Sequence, residues 1–145
     1  MTDELTREAA DVILGLRSAR DSSYQDWVAQ IKGSVERVRR RSGLALDDFL
    51  NAVALRTARE FAAGRMTFSD GDVLANDLWF LWISSLPPLD PAEPVNPPVP
   101  PVVGRVFLAF DAGEFIGRDE PPGTDPVEKY TRPQVESIVA DFGAS

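Results

Sequence analysis

The chain contains no cysteine and no histidine among its 145 residues. Without cysteine it has no disulfide framework and no thiolate metal site. Without histidine it lacks the commonest general base and the imidazole ligand. Catalytic triads built on His or Cys are excluded, which leaves carboxylates as the source of any acid–base or hard-metal chemistry. Long apolar runs are missing as well: the longest, Leu78 to Ile83, falls far short of the roughly 20 residues that cross a bilayer. The ten glycines are scattered singly, with no phosphate-cradling or dinucleotide-binding loop. The start, Met1-Thr2-Asp3-Glu4, lacks the basic and apolar regions of a secretory signal, so a cytoplasmic location is expected.

Positive charge is scarce in the second half. Residues 1–65 hold eleven Lys or Arg against ten Asp or Glu, whereas residues 66–145 hold four against thirteen. An acidic half of this kind disfavours nucleic acid and anionic membrane and favours a basic protein partner. Solubility alone also accounts for it. The 43% hydrophobic content, with eight Phe and three Trp, suffices for a core in one domain of this length.

Helical periodicity dominates the first 85 residues. Leu5, Ala9, Val12, Ile13 and Leu16 share one face of a helix expected from about Asp3 to Arg20, capped by Thr2 or Asp3. Ser22 and Gln25 read as a capping box for a second helix, from about Ser23 to Ser42. Its stripe is Tyr24, Trp27, Val28, Ile31, Val35 and Val38, and Gly43 suits the left-handed position beyond its end. Asp47 caps a third helix with Phe49, Leu50, Val53, Ala54, Thr57, Ala58 and Phe61 inward, ended by Gly64. Ser69 or Asp70 opens a fourth, reaching about Ser85, whose run Leu78–Ile83 is apolar on every side and belongs at the centre or against a partner.

From Pro87 to Pro101 eight of fifteen residues are proline. That density rules out helix and central strand, and as a polyproline-like connector the segment spans about 45 Å at ~3.1 Å per residue. Beyond it, residues 102–110 fit a helix (Val103, Phe107, Phe110) or a strand (Val106, Leu108, Phe110). A helix ended by Gly113 is preferred. Thr131-Arg132-Pro133-Gln134 reads as a capping box opening a last helix with Val135, Ile138, Val139 and Phe142 inward. Residues 102–145 are too few to form a core alone and must dock on the rest. The expectation is a mainly α, single-domain compact bundle of about five to six helices: a body at 1–85, a proline-rich connector at 86–101, and a docked segment at 102–145.

Two carboxylate groups are candidates for chemistry. Asp70 and Asp72, with Asn76 and Asp77 nearby, offer oxygen ligands for Ca²⁺ or Mg²⁺, but Leu74 and the missing terminal Glu break the EF-hand pattern. Ser69, Asp70 and Asp72 equally suit a helix start. Asp111 and Glu114, around Gly113, form a possible acid–base pair, a binding rim, or only a helix end on which Phe110 and Phe115 pack. Lys32, Arg37 and Arg39–Arg41 form a basic patch that reads better as a solvated helix end, with Glu36, Asp47 and Asp48 near enough to neutralise part of it. Trp79 and Trp82, three apart, are core filling or, if exposed, a binding anchor. No cofactor is implied.

The run Phe110-Asp111-Ala112-Gly113-Glu114-Phe115 followed by Tyr130-Thr131-Arg132-Pro133 resembles the C-terminal part of small acidic bacterial proteins of the toxin-immunity type. The resemblance covers little more than residues 102–145. It implies an inhibitor that blocks a basic, nucleic-acid-cutting toxin through acidic surface. Asp111, Glu114, Asp119, Glu120, Asp125 and Glu128 would supply that surface, with Trp79 and Trp82 as apolar anchors. Two other classes stand beside it: an adaptor whose proline segment enters an aromatic groove, and an enzyme with a metal held by Asp70, Asp72, Asn76 and Asp77.

Overall fold

The computed structural model describes residues 1–92 and 97–143. Among them the fold is all-α, with no strand. The helices are α1 (Asp3–Gly15), α2 (Ala19–Ser22), α3 (Tyr24–Ser42), α4 (Leu46–Ala62), α5 (Phe68–Ser85), α6 (Pro101–Asp111) and α7 (Arg132–Phe142), the last preceded by a π-helical turn over Val127–Thr131. Residues 102–110, ambiguous by periodicity, are helical. The middle of the proline-rich strap, residues 93–96, lies outside the described residues.

Most helix starts differ from expectation by a residue or two, and short side chains explain where they fall. Thr2 caps α1 by accepting a hydrogen bond from the Leu5 N–H at 3.3 Å. Ser23 caps α3, accepting from the Asp26 N–H at 3.3 Å, so the Ser22–Gln25 box is displaced by one residue. Thr67 caps α5, accepting from the Asp70 N–H at 3.1 Å, ahead of Ser69 and Asp70. α4 has no side-chain cap. Asp47 sits within its first turn instead, where its charge complements the helix dipole. Gly43 takes the left-handed conformation expected of it, with φ 73°.

α1 stops at Gly15 instead of running to Arg20. Glycine is the weakest ordinary helix former in the run. Breaking there lets Arg17 reach Asp70 of α5 at 2.5 Å and Arg20 reach Asp77 of the same helix.

The core follows the apolar stripes. Ile13 of α1, Trp27, Ile31, Val35 and Val38 of α3, and all seven inward positions of α4 are buried. α5 lies against α1, α4 and α6, which is why its apolar run needs no single face. Leu78, Leu81 and Trp82 are buried, while Ile83 is left in solvent.

The C-terminal segment docks on this body, α6 packing on α4 and α5 and α7 packing on α4 and α6. Two contacts set its position. Pro100 and Pro101 lead into α6, and a proline cannot cap by its side chain. Asn51 of α4 does the capping instead: its Oδ1 accepts hydrogen bonds from the N–H groups of Val102 (3.0 Å) and Val103 (3.2 Å). Two of the orphan donors at the helix start are thus satisfied from another helix. The second contact is the crossing of α5 and α6 at Gly71. A Cβ there would lie 2.3 Å from Cε1 of Phe110, a ring that is fully buried against Phe61 and Phe68.

The last helix begins differently from the expected box. Thr131 makes no cap; it is fully buried and its hydroxyl donates to the Ala109 carbonyl at 2.8 Å. The chain enters α7 through the wider π turn, which leaves room for the Pro133 ring; in a regular turn that ring presses on the carbonyl four residues back. Gly113 does not end α6 through a left-handed conformation. It is glycine because a Cβ would meet Thr131 Oγ1 at 2.2 Å.

Replacing Asn51 by Ala removes the cap of α6. We expect chemical denaturation to show a loss of roughly 1–2 kcal/mol, with reduced amide protection at 102–104. Gly71→Ala favours the helix by up to about 1 kcal/mol in an exposed site. Here the clash with Phe110 prevails, and the variant is expected to be less stable than the parent by about 1–3 kcal/mol.

Candidate functional site

The α5–α6 crossing joins the two carboxylate groups that lie far apart in the chain. Asp72 stands on the first turns of α5, next to Gly71. Asp111 is the last residue of α6, and Glu114 follows three residues later, beyond the wedged Gly113. The Asn76 amide donates to Asp72 Oδ1 at 3.2 Å and to the Asp72 carbonyl at 2.8 Å. None of Asp72, Asp111 and Glu114 pairs with a Lys or Arg among the described residues. Burial, the hydrogen bond with Glu114, and the charges of Glu114 and Asp111 push the Asp72 carboxyl up to about 7, against the opposing pull of Asn76.

The other members of the first carboxylate group have gone elsewhere. Asp70 pairs with Arg17 at 2.5 Å. Asp77 is buried and paired with Arg20, whose guanidinium also lies 4.0 Å over the Trp27 ring. Burial raises the Asp77 carboxyl pKa, opposed by the charge and hydrogen bond of Arg20. Asp70, Asp72, Asn76 and Asp77 therefore do not converge, and among the described residues no three acidic side chains are placed to hold a metal ion.

The remaining residues of the expected acidic surface fall on the segment between α6 and α7. Asp119 is exposed. Glu120 is held by Lys129 at 2.5 Å and Glu128 by Arg132 at 2.8 Å. Asp125 is exposed and spends one oxygen on the Val127 N–H at 3.0 Å. Asp111, Glu114, Asp119 and Asp125 are thus the members of this set with no Lys or Arg partner among the described residues, and Arg118 is an exposed cation among them.

Between those acids lies a feature that composition and spacing missed. Phe115 is 74% exposed and its neighbour Ile116 is 56% exposed, so Phe115 does not pack beside Phe110. Gly113, pinned under Thr131 and Phe68, carries the chain out of the core immediately before them. The available signal was that an apolar pair within a polar loop matches no helical or strand stripe.

Trp79 and Trp82 are not at this surface. Trp82 is buried, and Trp79 stacks on Phe107 with ring centroids 4.6 Å apart. The pair therefore fills the space between α5 and α6 and is not presented as an anchor. In the basic patch, Glu36 holds Arg39 through two hydrogen bonds (2.8 and 2.6 Å), and Glu8 of α1 holds Arg41 at 2.6 Å. Asp47 and Asp48, expected to help, make no such pair among the described residues.

Comparison with models of known families, with curated proteins and with solved structures finds no significant match to this chain. The reading of the site rests on its own geometry.

Because folding raises the Asp72 pKa, the folded state binds a proton more tightly than the unfolded chain. The stability that this proton carries is complete below about pH 4 and is lost as pH rises through about 7. Asp72→Asn is expected to be the more stable protein at pH 8, by roughly 1–2 kcal/mol once the rise is discounted for partial exposure to solvent. At pH 4 thermal melts of the two should converge.

Proposed function

We propose that this chain acts by binding a basic protein, in the manner of an immunity protein that neutralises a toxin, and that residues 111–119 are its contact surface. The observation that carries the reading is the Phe115–Ile116 pair, held in solvent between Asp111, Glu114 and Asp119. Burying a large aromatic side chain is a frequent source of interface energy. Unpaired carboxylates around it speed the approach of a cationic partner more than they tighten the final complex. The exposed acids lie on the half of the chain whose charge balance is strongly negative, which disfavours nucleic acid and anionic membrane at this face. No described helix is long and apolar enough to cross a membrane. A cytoplasmic setting belongs to the proposal.

The metal-dependent enzyme finds less support, because Asp70 and Asp77 are each engaged by an arginine. The adaptor reading depends on a proline segment whose centre lies outside the described residues.

The test is co-expression with the product of the neighbouring gene, read as cell survival and as a purified complex. Toxicity of the neighbour that this chain relieves, with a complex that Phe115→Asp weakens at least 30-fold, a loss of about 2 kcal/mol, supports the reading. Asp111→Lys with Asp119→Lys should slow association and flatten its salt dependence. A harmless neighbour and no complex, or a complex indifferent to Phe115→Asp, overturns it.

A further inference from the structure

The exposed Phe115–Ile116 loop has a counterpart at the opposite end of α5. There a pocket of about 370 Å³ opens between α3, the start of α4 and the end of α5, with Lys32, Gly33, Val35, Leu46 and Leu81 in its lining. We propose that this pocket receives the Phe115–Ile116 loop of a second copy, so that the chain associates with itself head to tail.

The pocket is built to take an apolar side chain. Val35 of α3 and Leu81 of α5 are core residues, and Leu46 of α4 is half-buried beside them. Gly33 lies in the middle of α3, where a Cβ would meet nothing within 4 Å and the backbone is not left-handed. Glycine weakens a helix interior, and neither strain nor close packing calls for it at this point. What its missing side chain does is keep the pocket open. The loop supplies the matching part: a phenyl ring 74% exposed with an aliphatic neighbour 56% exposed.

The two rims differ in charge. Lys32 on the pocket edge makes no ion pair among the described residues, nor does Arg37 further along α3. Glu36, the acid in the lining, is held by Arg39 and Arg40. Asp47 and Asp48 follow Leu46 on α4 but do not line the pocket. Beside Phe115 stand Asp111, Glu114 and Asp119, with Arg118 the opposing charge. Loop and pocket therefore attract each other, whereas two loops brought together repel.

One chain cannot fill its own pocket. The loop leaves the body at Gly113, which lies against Phe68 at the start of α5, and the pocket touches Leu81, Ser84 and Ser85 at that helix's end. At ~1.5 Å per residue the two ends are roughly 25 Å apart. Phe115 is two residues beyond Gly113, at most ~7 Å of chain. Every copy thus keeps one unfilled pocket and one uncovered loop, a heterologous contact that continues as an open chain or closes into a ring. The contact shares its loop with the function proposed above without depending on it: a second copy and a basic partner compete for Phe115.

The experiment is sedimentation of the full chain alone, from micromolar to millimolar concentration. The mass of the parent should rise above that of the monomer. Phe115→Asp, which spoils the loop, and Gly33→Leu, which fills the pocket, should each weaken association at least ~30-fold. Gly33→Leu should melt no lower than the parent; if it fails to fold, Lys32→Glu on the exposed rim replaces it as the blocked pocket. Mixed together, the two variants should form a one-to-one dimer that stops there, because the only intact loop and the only intact pocket are on different chains. A parent that stays monomeric, variants that associate like the parent, or a mixture that stays monomeric overturns the proposal. Phe115→Asp breaking association while Gly33→Leu does not would mean that two loops meet each other, and also overturns it. None of these results touches the complex with a basic partner, which is read separately by its own dependence on Phe115.

Discussion

The close crossing of α5 and α6 is the constraint on which the rest of the molecule turns. It exists because residue 71 has no side chain, which lets the Phe110 ring lie against the α5 backbone and meet Phe61 and Phe68 at the same point. A crossing this close has effects at both ends of α6. At its C-terminal end, Asp111 and Glu114 arrive beside Asp72 with no cation among the described residues to separate them. Next to them, Gly113 is wedged under Thr131, and the chain is directed outward at Phe115. At its N-terminal end, α6 meets Asn51, which supplies the cap that two prolines cannot.

The docked segment therefore contributes more than additional core. Without α6 and α7, Phe61 of α4 and Phe68 of α5 lose the ring between them, and the carboxyl group of Asp72 loses the acidic neighbours that, after burial, raise its pKa. The buried hydroxyl of Thr131 plays a related part: it satisfies the Ala109 carbonyl near the end of α6 and blocks any side chain at residue 113.

Electrostatics divides the carboxylates by environment. Asp70 and Asp77 found arginines once α1 broke at Gly15 and turned toward α5. Glu120 and Glu128 are neutralised locally within the segment between α6 and α7. Of the acids expected at the binding surface, Asp111, Glu114, Asp119 and Asp125 make no ion pair among the described residues, and the first three border the exposed Phe115–Ile116 pair. The contact surface proposed above is thus smaller and more apolar than a count of acidic residues implies.

Helix identity was legible in the sequence because burial repeats at the helical period. The seven inward residues of α4 and the Trp27–Val38 stripe of α3 are buried as their spacing requires. The punctuation was less legible: capping depends on which of several adjacent short polar residues adopts extended backbone, so Ser23 and Thr67 were passed over for neighbours of the same chemistry. The break at Gly15, the cap from Asn51 and the buried Thr131 depend on partners tens of residues away, which no local pattern contains. The same holds for the site. Composition and periodicity by themselves determined that the chain is helical, that its second half is acidic, and that His and Cys chemistry is excluded. Only the tertiary structure decided that Asp72 faces Glu114, that Trp82 is core and that Phe115 is not. Each of these depends on what occupies the space beside a side chain, and that space is enclosed by residues distant in the chain.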